Sequence, residues 1–157
     1  MNTPLLTPLL AAAMLTLAIG AAFAADMAPA ALDKLAVARG LIADKSWAAA
    51  IDELKLVNDT GSADWNNLMG YTHRKAKTPD FAAAERYYNE ALRIDPQHRG
   101  ALEYSGELYL MTGNLAKAEA RLAALDKACF LPCEEHSDLK KAVERYKANG
   151  NRYIVAP

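Results

Sequence analysis

Four columns of residues recur along this chain at a spacing of 34. Trp47, Phe81 and Leu115 form the first column. Ala50, Ala84 and Ala118 form the second, Leu54, Tyr88 and Leu122 the third, and Val57, Ala91 and Leu125 the fourth. Within each copy the steps are three, four and three residues, which places the four side chains on one face of an α-helix. Ser46, Asp80 and Asn114 precede the three helices, again 34 apart. Each is a residue type whose side-chain oxygen accepts an otherwise unpaired backbone N–H at a helix start. Upstream of each cap lies a further apolar stretch: Leu32, Leu35, Leu41 and Ile42; then Trp65, Leu68, Met69 and Tyr71; then Leu102, Tyr104, Leu108 and Tyr109. Small residues interrupt these stretches at Ala38, Gly70 and Gly106. Since glycine costs about 1 kcal/mol against alanine inside a helix, its presence there predicts close helix approach. The unit is helix, short turn, helix, and a fold built from such units stacks them.

The residues carrying this period resemble the tetratricopeptide repeat. Trp65-x2-Leu68-Met69-Gly70 followed by Phe81-x2-Ala84-x3-Tyr88-x2-Ala91-Leu92-Arg93-Ile94-Asp95-Pro96 is the fullest copy. Gly106-x2-Tyr109-x3-Gly113-x4-Ala118 repeats it, and Trp47-x2-Ala50-x3-Leu54 is a weaker earlier one. The resemblance spans roughly residues 31–132. It implies an all-α, right-handed helical-repeat solenoid of about three helix-turn-helix units, at about 31–62, 63–98 and 99–132. A C-terminal capping helix is expected over about 133–148, closing a domain of 31–149, with apolar face His136, Leu139, Val143 and Tyr146. A tail of 150–157 has no assignment. Three departures stand out. The turn Lys77-Thr78-Pro79-Asp80 is two residues longer than its counterpart, the first copy lacks the aromatic and glycine of its first helix, and Phe130 stands where the third copy would carry proline.

The N-terminus reads differently. Residues Leu5 to Ala25 carry no charge and end in Ala22-Phe23-Ala24, a small-x-small pattern just before Asp26. This is the form of a secretory signal peptide cut after Ala24, leaving 25–30 as a short leader to the repeats. No Lys or Arg precedes Lys34, and the competing expectation is an uncleaved membrane anchor. The first reading places the protein in the periplasm or an equivalent exported compartment. With 24% charged and 52% apolar residues the remainder is an ordinary folded domain. A formal net charge of −1 supplies no basic excess for phosphates, which argues against nucleic acid. No stable membrane insertion is expected after cleavage.

Cys129 and Cys133 are the two cysteines, flanking Phe130-Leu131-Pro132. In an oxidising compartment two thiols this close most simply form a disulfide. A redox pair, free thiols, or a metal site completed by His136 are the other readings, although C-x3-C is not the spacing of thioredoxin-like centres. No HExxH, glycine-rich phosphate loop or Gly-x-Ser-x-Gly elbow occurs, and no catalytic residues, cofactor or metal are expected. The resemblance implies a groove lined by the first helix of each pair, and it maps Arg39, Asn67, Tyr71, Arg74, Glu103 and Glu107 onto that groove. There Tyr71 and Arg74 are expected to hold a partner protein or peptide, with Arg74 forked on a partner carboxylate. Glu103 and Glu107 would favour a basic segment. The Lys and Asn pattern of the family's carboxylate clamp is not reproduced. The expected function is a non-catalytic interaction module, with a thiol-redox or metal-handling role for the cysteine pair as the alternative.

Overall fold

The computed structural model describes residues 33–154; the expected signal peptide, the leader 25–30 and the last three residues lie outside that range. Seven helices follow one another: α1 (Ala36–Ala43), α2 (Trp47–Val57), α3 (Ala63–Lys75), α4 (Phe81–Ile94), α5 (Arg99–Met111), α6 (Leu115–Ala128) and α7 (Glu134–Ala148). Among the described residues there is no strand. The first helix starts later than the apolar pattern suggests, with Leu35 buried at its N-cap.

Helices pair as α1 with α2, α3 with α4 and α5 with α6, and α3 and α5 also rest on the pair before them. Ala50, Ala84 and Ala118 are wholly buried, so the repeating alanine marks where a second helix has no room for a larger side chain. The core is divided along the stack rather than pooled. Leu35, Ala38, Leu54, Trp65, Leu68 and Met69 join the first pair to α3. Ala84, Tyr88, Ala91, Ala101 and Leu108 join α4 to α5. Leu102, Leu110, Leu125, Leu139, Val143 and Tyr146 tie α7 to the last pair. Apolar burial of this kind, near 25 cal/mol per Å², acts between neighbours only, as in other repeat arrays.

Close approach explains the two helical glycines. A Cβ on Gly70 would stand 2.7 Å from the Tyr88 ring, and one on Gly106 would stand 2.5 Å from a Leu139 methyl. Gly106 therefore makes room for α7 rather than for its own second helix. Helix α7 contacts α5 and α6 as α5 contacts α3 and α4, so the capping helix occupies the place of a fourth repeat's first helix. His136 does not join its apolar face; Ala142 does, while His136 Nε2 lies 3.0 Å from Asp126.

The caps hold at two of the three repeating positions. Asp80 accepts from the Ala83 N–H and Asn114 from the Lys117 N–H, but Ser46 makes no side-chain cap bond. Ser62 and His98 cap α3 and α5, through the N–H groups of Trp65 and Ala101.

Backbone sterics account for the lengthened turn. The three-residue turns Asp44–Ser46 and Thr112–Asn114 place their central residue, Lys45 or Gly113, at φ 57° or 79°. Pro79 stands midway at the same period, and its ring fixes φ near −65°. The α3–α4 connection therefore takes another path through Ala76–Asp80. Lys45 carries the left-handed strain without glycine's freedom. Lys45→Gly is expected to raise stability by up to about 1 kcal/mol, and Gly113→Ala to lower it by about as much. Chemical denaturation of the two variants checks both signs.

Candidate functional site

The site expected from the repeats is the row of first helices. On α3, Asn67, Tyr71 and Arg74 follow at steps of four and three, and face α5 across the repeat boundary. Tyr71 meets Tyr104 with ring centroids 4.8 Å apart and meets Trp47 at 6.1 Å. An aromatic chain thus links residues from all three pairs. The Arg74 guanidinium lies over both tyrosines, 5.5 Å from Tyr71 and 5.4 Å from Tyr104, a favourable cation–π arrangement.

Arg74 is not an available partner-binding group. It is 3% exposed, and its Nη1 donates to Glu107 Oε2 at 2.6 Å. The carboxylate expected from a partner is supplied by the next repeat, because position 107 of α5 comes level with position 74 of α3. Burial alone would lower the pKa of Arg74, but the adjacent Tyr88 hydroxyl and Glu107 outweigh it and the guanidinium stays charged. Tyr88 itself is pushed above the ordinary phenol range by burial. Its hydroxyl and Arg74 Nε are each buried without a hydrogen-bond partner among the described residues.

Arg39 is exposed and already engaged, with Nη2 3.2 Å from Asp64 and Nε 3.6 Å from Asp33. Asp64 also receives His98, whose Nε2 lies 3.0 Å away. Since His98 Nδ1 accepts the Ala101 N–H, its Nε2 carries the proton and donates to Asp64. Asn67 is 7% exposed, and its Oδ1 is buried with no partner. Its Nδ2 fits against Gly100, where a Cβ would stand only 3.0 Å from it.

Glu103 differs from all of these. It is 9% exposed, with no hydrogen bond or ion pair to any described residue. Burial, then the charges of Glu107, Asp138 and Glu135, push its pKa up to about 8. Near neutral pH this carboxyl is therefore mostly protonated, and a cation brought beside it would ionise it. The shift has a consequence for stability. The folded chain keeps a proton that the unfolded chain releases near pH 4.5, so this contribution is fully present below that value and is lost as pH rises toward about 8. Glu103→Gln is expected to remove that part of the slope. Melting temperatures taken between about pH 5 and 9 check it: the variant should gain most over wild type at the alkaline end.

Four contributors were not legible from the repeat pattern. Tyr104 lies 33 residues after Tyr71, the same interval that separates Arg74 from Glu107, and that second period was the available signal. Asp138 and Glu135 reach the site only because α7 takes the place of a fourth first helix. Tyr153, from the unassigned tail, is partly buried against the cluster that ties α7 to the last pair, and that burial, then the Glu107 charge, raises its pKa.

Cys129 and Cys133 lie apart from this face, their sulfurs at disulfide distance, 2.07 Å. Among the described residues no group of three or more His, Cys, Asp or Glu is arranged to hold a metal ion. No described helix is long and apolar enough to cross a membrane.

Stacked helical hairpins, each first helix presenting side chains to one shared face, define a helical-repeat protein. Residues 79–128 match the family model of the tetratricopeptide repeat, which supports a tetratricopeptide-repeat reading of that stretch. No curated protein and no solved structure matches it significantly. Repeats of this family generally mediate protein–protein interaction and are typically non-catalytic.

Proposed function

We propose that this chain is a non-catalytic binding module whose first-helix face takes a protein or peptide segment through a Lys or Arg side chain. The observation that carries this is Glu103. Arg74 and Arg39 are engaged by Glu107, Asp33 and Asp64, whereas Glu103 has no cation within ion-pair distance among the described residues. Asn67 Oδ1, a buried acceptor without a partner, lies on the same face. Tyr71 and Tyr104 offer aromatic area beside them at low entropic cost. A cationic side chain entering here would displace the proton of Glu103, so affinity should rise with pH up to about 8.

The reading includes an exported setting, periplasmic or equivalent, after removal of residues 1–24. It is supported by the uncharged Leu5–Ala25 stretch and by a cysteine pair at disulfide distance. The test is crosslinking in the native envelope followed by capture of the chain, with Glu103→Lys as control. Partners lost with Glu103→Lys and crosslinked through a Lys- or Arg-bearing segment support the proposal. Equal recovery by both forms would falsify it. Mass analysis of the mature N-terminus checks the export arm, which requires Ala25 as its first residue.

A further inference from the structure

Helix α7 ends in a geometry that sends the chain back across the binding face. The Gly150 N–H donates to the Lys147 carbonyl at 3.1 Å, and the Asn151 N–H donates to the Tyr146 carbonyl at 3.0 Å. This pair of bonds is the Schellman closure of a helix. Gly150 and Asn151 both hold left-handed angles, φ 65° and 61°, which glycine adopts freely and asparagine tolerates. Beyond that reversal Tyr153 is half-buried. With Ile154 it lines a narrow crevice whose other walls are Glu107 of α5 and Ala142, Arg145 and Tyr146 of α7. Glu107 is the residue that holds Arg74, so the tail lies on the first-helix face itself. The raised pKa of Tyr153, from burial first and then the Glu107 charge, agrees with that placement.

We infer that the tail is an intramolecular strap on the binding face: Tyr153 occupies the end of that face beside Glu107, where a partner segment must displace it. The inference rests on the binding reading above. Glu103 and Glu107 are one helical turn apart on α5. A segment anchored at Glu103 and running along that helix therefore reaches the tyrosine within the turn. The strap is built to yield. Among the described residues no backbone hydrogen bond lies beyond Asn151, Arg152 and Ile154 are exposed, and one half-buried ring makes the contact. Segments with so few buried contacts open at the low end of the stability range. Because it is attached, the ring still competes at high effective concentration with any free segment.

Tyr153→Ser in the full chain releases the strap and leaves the helix closure in place, so circular dichroism should show unchanged helix content. The acetylated peptide of residues 149–157, titrated into the isotope-labelled Tyr153→Ser protein, should shift the amide resonances of Glu107 and Ala142. Wild type and Tyr153→Phe keep the ring in place and should bind the peptide at least about tenfold more weakly. Fluorescein-labelled deca-lysine reads the consequence for the binding face: Tyr153→Ser should tighten it about threefold or more, and Tyr153→Phe should not. The strap is overturned if the peptide leaves Glu107 and Ala142 unmoved, or if wild type binds the peptide as tightly as Tyr153→Ser. It is also overturned if deca-lysine depends on Glu103 but binds wild type and Tyr153→Ser alike. Deca-lysine binding that ignores Glu103→Gln overturns the lysine reading instead, and the peptide arm then decides the strap.

Discussion

Replacing Glu107 by Ala should destabilise the protein by about 3 kcal/mol, the low end of the range for breaking a buried ion pair. The reason lies with the partner left behind. Arg74 has a side chain only 2% exposed, its guanidinium cannot shed its proton, and among the described residues Glu107 is its one anionic neighbour at ion-pair distance. The two tyrosine faces at 5.4 and 5.5 Å retain part of the stabilisation, which keeps the cost from reaching the upper end. Glu107 itself is a quarter exposed and would cost little to release. Replacing Arg74 by Met at the same time should therefore recover most of the loss, since no charge is then stranded. Urea denaturation of both single variants and the double variant measures the coupling. Additive losses would mean that the pair is not the unit described.

The second large effect concerns the contact between Gly70 and Tyr88. Tyr88 is wholly buried, and its ring lies where a Cβ on residue 70 would have to go. Tyr88→Ala should cost about 3–5 kcal/mol through lost burial and the cavity left behind. Gly70→Ala should be destabilising in the wild type, because overpacking against a rigid ring at about 1–3 kcal/mol exceeds the helix-propensity gain of about 1 kcal/mol. In the Tyr88→Ala background the ring is gone and only that gain remains, so Gly70→Ala should become stabilising. The same change at Gly106 should cost less than at Gly70. There the obstructing atoms are the terminal methyls of Leu139, which can turn aside. A Gly70→Ala effect with the same sign in both backgrounds would count against the steric account.

These two contacts show how differently parts of the molecule were encoded. The period of 34, the helical pairs, the buried alanine column and the need for glycine at 70 and 106 were readable from residue spacing. Helical geometry converts spacing into facing, and crowding between helices leaves its mark in residue size. The longer second turn was readable too, because Pro79 excludes the backbone angle that Lys45 and Gly113 adopt. The binding face was legible only in outline. Spacing put Arg39, Asn67, Tyr71, Arg74, Glu103 and Glu107 on first helices but could not say which would be consumed by one another.

That distinction came from the tertiary structure alone. Arg74 and Glu107 sit 33 residues apart, and their pairing depends on how far one repeat is rotated and displaced against the next. The same displacement leaves Glu103 without a cation, brings Asp138 and Glu135 toward it through α7, and carries Tyr153 back to the capping helix. By itself the sequence determined that the chain would stack helical pairs at a period of 34, because that pattern is local and repeats along one dimension. Only the stacked structure decided which charges of its shared face remain free, because pairing across repeats is a matter of distance, burial and partner.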